Sequence, residues 1–159
     1  WLFEGSDEAP ELPGLGLLSG RCYRLGGTVP LKPDTPEIHR DGSVRDTRSV
    51  RLQADRDPGN VRLQADRDPV VEVPHVGWNS LDIQRSEASI LEGVPQGAQV
   101  YFTHSYVAPI TGDAAALTEH GEPFAAVVQR GYIAGVQFHP EKSGDVGLRI
   151  LRNFVELAG

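Results

Sequence analysis

A chain of 159 residues and 17.2 kDa, 39% hydrophobic and 23% charged with a mean hydropathy of −0.30, has the length and composition of one globular domain with a sizeable core. Its formal net charge of −7 and pI near 5.2 argue against nucleic acid or an anionic membrane surface as the main partner, and no apolar run approaches the ~20 residues of a membrane span. One cysteine, Cys22, excludes an internal disulfide and a multi-cysteine zinc site.

The start, Trp1-Leu2-Phe3-Glu4, has no basic region followed by a small-residue cleavage site, so a cytoplasmic protein is expected. With Trp at position 1 and no methionine anywhere, the sequence reads as cut from a longer frame. Residues 1–13 read as the tail of a helix followed by a loop, because apolar residues give way to Glu4, Asp7, Glu8 and Pro10. Strands are expected at 15–18 and 21–25, with a Gly/Ser turn between them.

Residues 26–69 differ in character. They are rich in proline and glycine, nearly free of aromatics, and finely mixed in Arg and Asp. The segment Val50-Arg-Leu-Gln-Ala-Asp-Arg-Asp-Pro58 recurs as Val61 to Pro69. Two copies are too few for a solenoid, so a duplication inside a tolerated surface insertion is expected.

Beyond it, a strand is expected at 70–73 and one helical turn at 89–93, ended by Gly93. Aromatic and β-branched residues mark a strand at 99–107, and further strands follow at 114–118, 124–129 and 132–138. The last element is a helix with Ser143 as N-cap and Asp145 in its first turn. Its apolar stripe holds Val146, Ile150, Phe154 and Leu157, widened by Leu148, Leu151 and Val155; Arg149, Arg152 and Asn153 fall outside it.

The chemistry gathers at His139-Pro140-Glu141. Proline holds the preceding residue extended, and side chains two apart on an extended chain point the same way. An imidazole and a carboxylate are thereby presented together. The carboxylate fixes one ring nitrogen and leaves the other to take a proton from a nucleophile. Alone, the tripeptide is weak evidence and reads better as polar residues in a loop leading to a helix.

Its surroundings decide otherwise. Gly135-Val-Gln-Phe-His-Pro-Glu141 resembles the C-terminal signature of class I glutamine amidotransferases. Lys142-Ser143-Gly144, Gly147-Leu148-Arg149, Leu151-Arg152-Asn153-Phe154 and Pro74-His75-Val76-Gly77-Trp78-Asn79 are similar to the histidine-biosynthesis branch of that family. So are Tyr101-Phe-Thr-His-Ser-Tyr106, Leu2-Phe3-Glu4-Gly5-Ser6 and Gly14-Leu15-Gly16-Leu17.

That resemblance implies a three-layer α/β domain, here partial, with the C-terminal sheet strands and last helix but without the first parallel strands. It implies a Cys-His-Glu triad that releases ammonia from L-glutamine, with His139 as general base and Glu141 as its orienter. It further implies a heterodimer with a cyclase subunit, a (β/α)8 barrel, and no metal or organic cofactor. Tyr101, His104, Ser105 and Tyr106 would line the glutamine pocket, with Glu8 meeting the substrate ammonium; the alternative for Tyr101 and Tyr106 is a packed aromatic strand. Pro74, His75, Trp78 and Asn79 would face the cyclase, Trp78 exposed at a tight Gly77-Trp78 turn; the alternative for Trp78 is a core position. Lys142 is a candidate for an ion pair across that interface.

The family's nucleophile sits on a Gly-Ile-Cys-Leu-Gly-Met-Gln elbow that aligns before Trp1. Cys22, between Arg21 and Tyr23 in an expected strand without elbow glycines, reads as a small half-buried hydrophobe. The polypeptide alone is therefore expected to lack glutaminase activity. Two alternatives remain: a docking partner of the cyclase without chemistry, or another branch of the same family.

Overall fold

The computed structural model describes residues 1–26 and 71–158; the repeat, and all of the expected insertion except Gly26, lie outside the described residues. In chain order these residues form β1 (Gly5–Ser6), β2 (Arg21–Arg24), β3 (His75–Ser80), β4 (Asp82–Ile83) and a 3-10 turn at Ser89–Leu91. Then come β5 (Gln99–His104), β6 (Tyr106–Val107), β7 (Ala114–His120), β8 (Glu122–Arg130), β9 (Ile133–Val136), a 3-10 turn at Pro140–Lys142 and α1 (Gly144–Ala158).

The strands make three sheets: β1-β2-β6, the ribbon β3-β5, and β4-β7-β8-β9. Only β1 and β2 pair in parallel among the described residues. Strands and a packed helix are thus both present, as expected of a mixed α/β domain. Among the described residues no helix is long and apolar enough to cross a membrane.

Several expected elements take another form. No helix occupies 1–13. The carbonyls of Trp1, Leu2 and Phe3 instead accept N–H groups from residues 15–18, and that pairing also keeps 15–18 from being a strand. Of the strand expected at 70–73, Val70 lies outside the described residues and 71–73 are not strand; β3 begins at His75, after Pro74, which has no N–H to give a ladder. The strand expected at 99–107 divides at Ser105. Up to His104 it pairs with β3, and from Tyr106 it pairs with β2, while the Ser105 carbonyl accepts the Leu25 N–H.

Phe102 lies at the centre of the main core, fully buried with the rings of Phe124 and Phe138 edge-on to it at 6.0 and 5.8 Å. A second cluster joins Phe3, Leu18, Cys22, Ala108, Ala125 and Val128. Helix α1 meets the main core through Ile150 and the half-buried Val146.

Asn153, expected outside the buried stripe, lies inside it. Its amide donates to the carbonyls of Ile90 (3.0 Å) and Glu92 (2.8 Å), groups that the short turn at 89–91 cannot satisfy by itself. Leu148, Leu151, Phe154 and Val155 are correspondingly exposed. The apolar stripe is wider than the contact it serves.

Candidate functional site

His139 Nδ1 lies 2.8 Å from Glu141 Oε1, and both side chains are solvent-accessible. The two groups meet as expected, by a different backbone route. Strand β9 ends at Val136, and His139, extended at φ −91° and ψ 98°, is the N-cap of the 3-10 turn that carries Glu141. Proline at the first position of that turn holds His139 out of the helical region while the turn brings the carboxylate back under its ring. The Glu141 carboxyl is held below its ordinary range, first by its own backbone N–H and then by the His139 ring. No hydrogen bond occupies His139 Nε2 among the described residues.

The backbone of His139 is tied to β5. Its N–H donates to the Tyr101 carbonyl at 2.9 Å. Ser143 closes the ring from the other side: its hydroxyl accepts the Tyr101 N–H (3.0 Å) and donates to the His139 carbonyl (2.6 Å). The N-cap expected at Ser143 is therefore a brace, since its oxygen is taken up by β5. Helix α1 can approach because residue 147 is glycine; a Cβ there would collide with the Pro140 carbonyl. Neither Ser143 nor Gly147 carries a sequence signal for this task beyond its place in the family pattern.

The strand ribbon sorts the remaining candidates onto two faces. Along β3, Val76 and Trp78 are exposed, while His75 is buried and Asn79 half-buried. Trp78, 57% exposed, is not a core residue. Gly77-Trp78 is not a turn either, since both residues pair within the ladder, with Phe102 and Tyr101. Side chains alternate along a strand, so His75 and Asn79 lie on the opposite face of the ribbon from Trp78.

The same counting separates Tyr101 from His104, three positions apart on β5. Tyr101 lies edge-on to Trp78 at 5.9 Å and beneath the Lys142 ammonium, 5.8 Å from its ring centroid. It belongs with Trp78 and Lys142, not with His104. Pro74 is exposed at the start of β3.

His104, Ser105 and Tyr106 form the kink between β5 and β6, and all three are half-buried. His139 is close enough for its charge to oppose protonation of His104. Glu8 is exposed in the turn after β1, with its N–H donating to Ser6 Oγ at 3.2 Å. No hydrogen bond or ion pair joins its carboxylate to the kink among the described residues. Glu8 follows β1 and the kink leads into β6, two strands of the sheet β1-β2-β6.

Cys22 lies buried in the second core cluster on β2. Burial pushes its thiol above the ordinary range, which disfavours the thiolate a nucleophile needs. Among the described residues no group of three or more His, Cys, Asp or Glu side chains is arranged to hold a metal ion.

The profile of the family "Glutamine amidotransferase class-I" matches residues 59–157. The imidazole glycerol phosphate synthase subunit HisH of Xylella fastidiosa (strain Temecula1 / ATCC 700964) is 49% identical over 156 residues, covering 98% of this chain and 57% of that protein. The subunit of the same name from Xanthomonas euvesicatoria pv. vesicatoria (strain 85-10) is 51% identical over 88 residues, 55% of this chain and 44% of that protein. The chain spans about half the length of the curated relatives it matches. A profile match over more than half of the residues, covering the His139–Glu141 pair, makes this chain a member of the class-I glutamine amidotransferases.

Proposed function

We propose that this domain provides the general base and its orienter for the hydrolysis of L-glutamine to glutamate and ammonia. The ammonia would pass to a (β/α)8-barrel cyclase partner in histidine biosynthesis, and the strands and helix described above would form the corresponding part of a three-layer domain. The observation that carries this reading is the 2.8 Å contact between His139 Nδ1 and Glu141 Oε1. It holds the proton of the neutral ring on Nδ1 and leaves Nε2 as the base.

In the proposed reaction, Nε2 takes the proton of a cysteine thiol as the sulfur attacks the glutamine side-chain carbonyl. The same proton then goes to the departing nitrogen, which leaves as ammonia. Water, deprotonated by Nε2, releases glutamate from the thioester. Glu141 stabilises the imidazolium formed in each half. Cys22, buried in apolar surroundings with a raised thiol, is a poor match for the sulfur, so we propose that this polypeptide has no glutaminase turnover by itself.

The row of exposed Trp78 and Lys142 with the half-buried Tyr101 between them, beside the His–Glu pair, supports cyclase docking at that face. It would serve equally a subunit that docks without chemistry.

Glutamate release measured with the cyclase subunit present tests the reading. The chain alone should match a His139→Ala control. The chain joined in frame to a family segment bearing the Gly-x-Cys-x-Gly elbow should turn over, and lose on the order of 10⁴-fold or more with His139→Ala. Turnover by the chain alone that His139→Ala abolishes would overturn the exclusion of Cys22. An elbow-bearing protein indifferent to His139→Ala would overturn the assignment of the base.

A further inference from the structure

His75 and Asn79 lie on the opposite face of the ribbon from Trp78, and their contacts point to a role there. His104 Nδ1 lies 3.2 Å from the Tyr106 carbonyl oxygen. A carbonyl can only accept, so Nδ1 carries the ring proton and, in the neutral ring, Nε2 is a lone pair. His75 Nδ1 lies 3.0 Å from that Nε2 and must therefore be the donor. This leaves His75 Nε2 as an acceptor, and Asn79 Nδ2 lies 3.4 Å away.

The Asn79 amide is itself fixed. Its Oδ1 accepts the Ser80 N–H at 2.8 Å, and its Nδ2 also donates to the Glu119 carbonyl at 2.8 Å. The orientation of every member follows from the two main-chain carbonyls, of Glu119 and Tyr106, between which the chain runs.

We infer that Asn79 and His75 are positioning residues that lock His104 as the Nδ1–H tautomer and thereby hold the Tyr106 carbonyl and the 104–106 kink in one conformation. The inference rests on reading that kink as part of the glutamine pocket. Both rings are neutral at pH 7, because burial and the neighbouring histidines push His75 and His104 down to about 4. The stacking of His75 on Phe102 (4.7 Å) and His120 (4.0 Å) fixes the plane of its ring, so the donor is aimed as well as assigned.

Long-range ¹⁵N–¹H correlation spectra of the histidine-labelled chain at pH 7 test the relay directly. Both His75 and His104 should appear as Nδ1–H tautomers. His75→Phe keeps the stacked ring and removes the donor; His104 should then become a mixture of tautomers. His75→Asn, whose amide nitrogen can occupy the place of Nδ1, should restore it. Should His75→Phe not fold, Asn79→Ala at its half-buried position should release the tautomer of His75.

Glutamine titrated into the chain with the cyclase subunit bound reads the functional half. The expected result is a dissociation constant about tenfold weaker in His75→Phe and recovered in His75→Asn. An Nε2–H tautomer at His104 in the unaltered chain overturns the relay. Equal glutamine affinity in all variants overturns its role in positioning while leaving the pocket intact. Failure of the unaltered chain to bind glutamine at millimolar concentration overturns the pocket reading, and the positioning role with it.

Discussion

Ser143 shows how much of this site is held by one small side chain. Its hydroxyl joins the Tyr101 N–H to the His139 carbonyl, so Ser143→Ala leaves a half-buried donor and a carbonyl without that partner. Such a loss costs about 1–3 kcal/mol. We expect a lower urea midpoint of that order, with faster hydrogen exchange at the Tyr101 amide; an unchanged midpoint would contradict the brace. The His139–Glu141 pair was legible because proline constrains its neighbour within three residues of sequence. The serine brace and the paired rings of His75 and His104 were not. Their partners lie 42 and 29 positions away along the chain, and local pattern carries no information at that range.

At the scale of elements, the clearest constraint is in β3. Gly77 has φ +142° inside a paired strand, a region closed to residues with a Cβ, and nothing stands within 4 Å of where that Cβ would lie. The requirement is conformational and not one of space. Gly77→Ala should therefore destabilise the domain by about 1–3 kcal/mol in thermal or urea unfolding. A stability change within error would show that the ladder relaxes to ordinary strand geometry. Sequence pattern located β5, β7, β8 and α1 to within a few residues, since their apolar periodicity is long, but it put a turn where β3 runs. It misplaced the start of the chain, where main-chain bonds to 14–20 override the apolar run at 1–3. The two faces of the ribbon could have been separated by counting alone: positions 101 and 104, like 78 and 79, differ by an odd number.

Two predictions concern the whole molecule. The ordinary histidine value is 6.5, and His75 and His104 are depressed to about 4 in the folded protein. Between those values the unfolded chain takes up protons that the folded chain refuses, so stability falls as pH drops from about 6.5 to about 4 and this contribution levels off below. Urea midpoints at pH 7, 5.5 and 4.5 should decline in that order, and His75→Phe should flatten the slope; a pH-independent midpoint contradicts the neutral pair. The second prediction is self-association. Strand β9 is the terminal strand of its sheet, and α1 exposes Leu148 (62%) and Val155 (70%) with Leu151 and Phe154, with no cover among the described residues. An open edge beside an apolar helix face favours contact between copies. Sedimentation velocity at tens of micromolar should show species larger than a monomer, reduced by Leu148→Glu with Val155→Lys; a monomer at every concentration would refute it.

Tyr101 has a further consequence. What fastens His139 to the sheet is the amide nitrogen and carbonyl of residue 101, atoms that nearly every amino acid supplies alike. What meets the indole and the ammonium is the phenol ring, which belongs to tyrosine. Evolution can therefore redraw the outward surface at this position to suit a different neighbour while the anchor beneath stays fixed. Proline alone, lacking the amide hydrogen, would sever one of its two attachments.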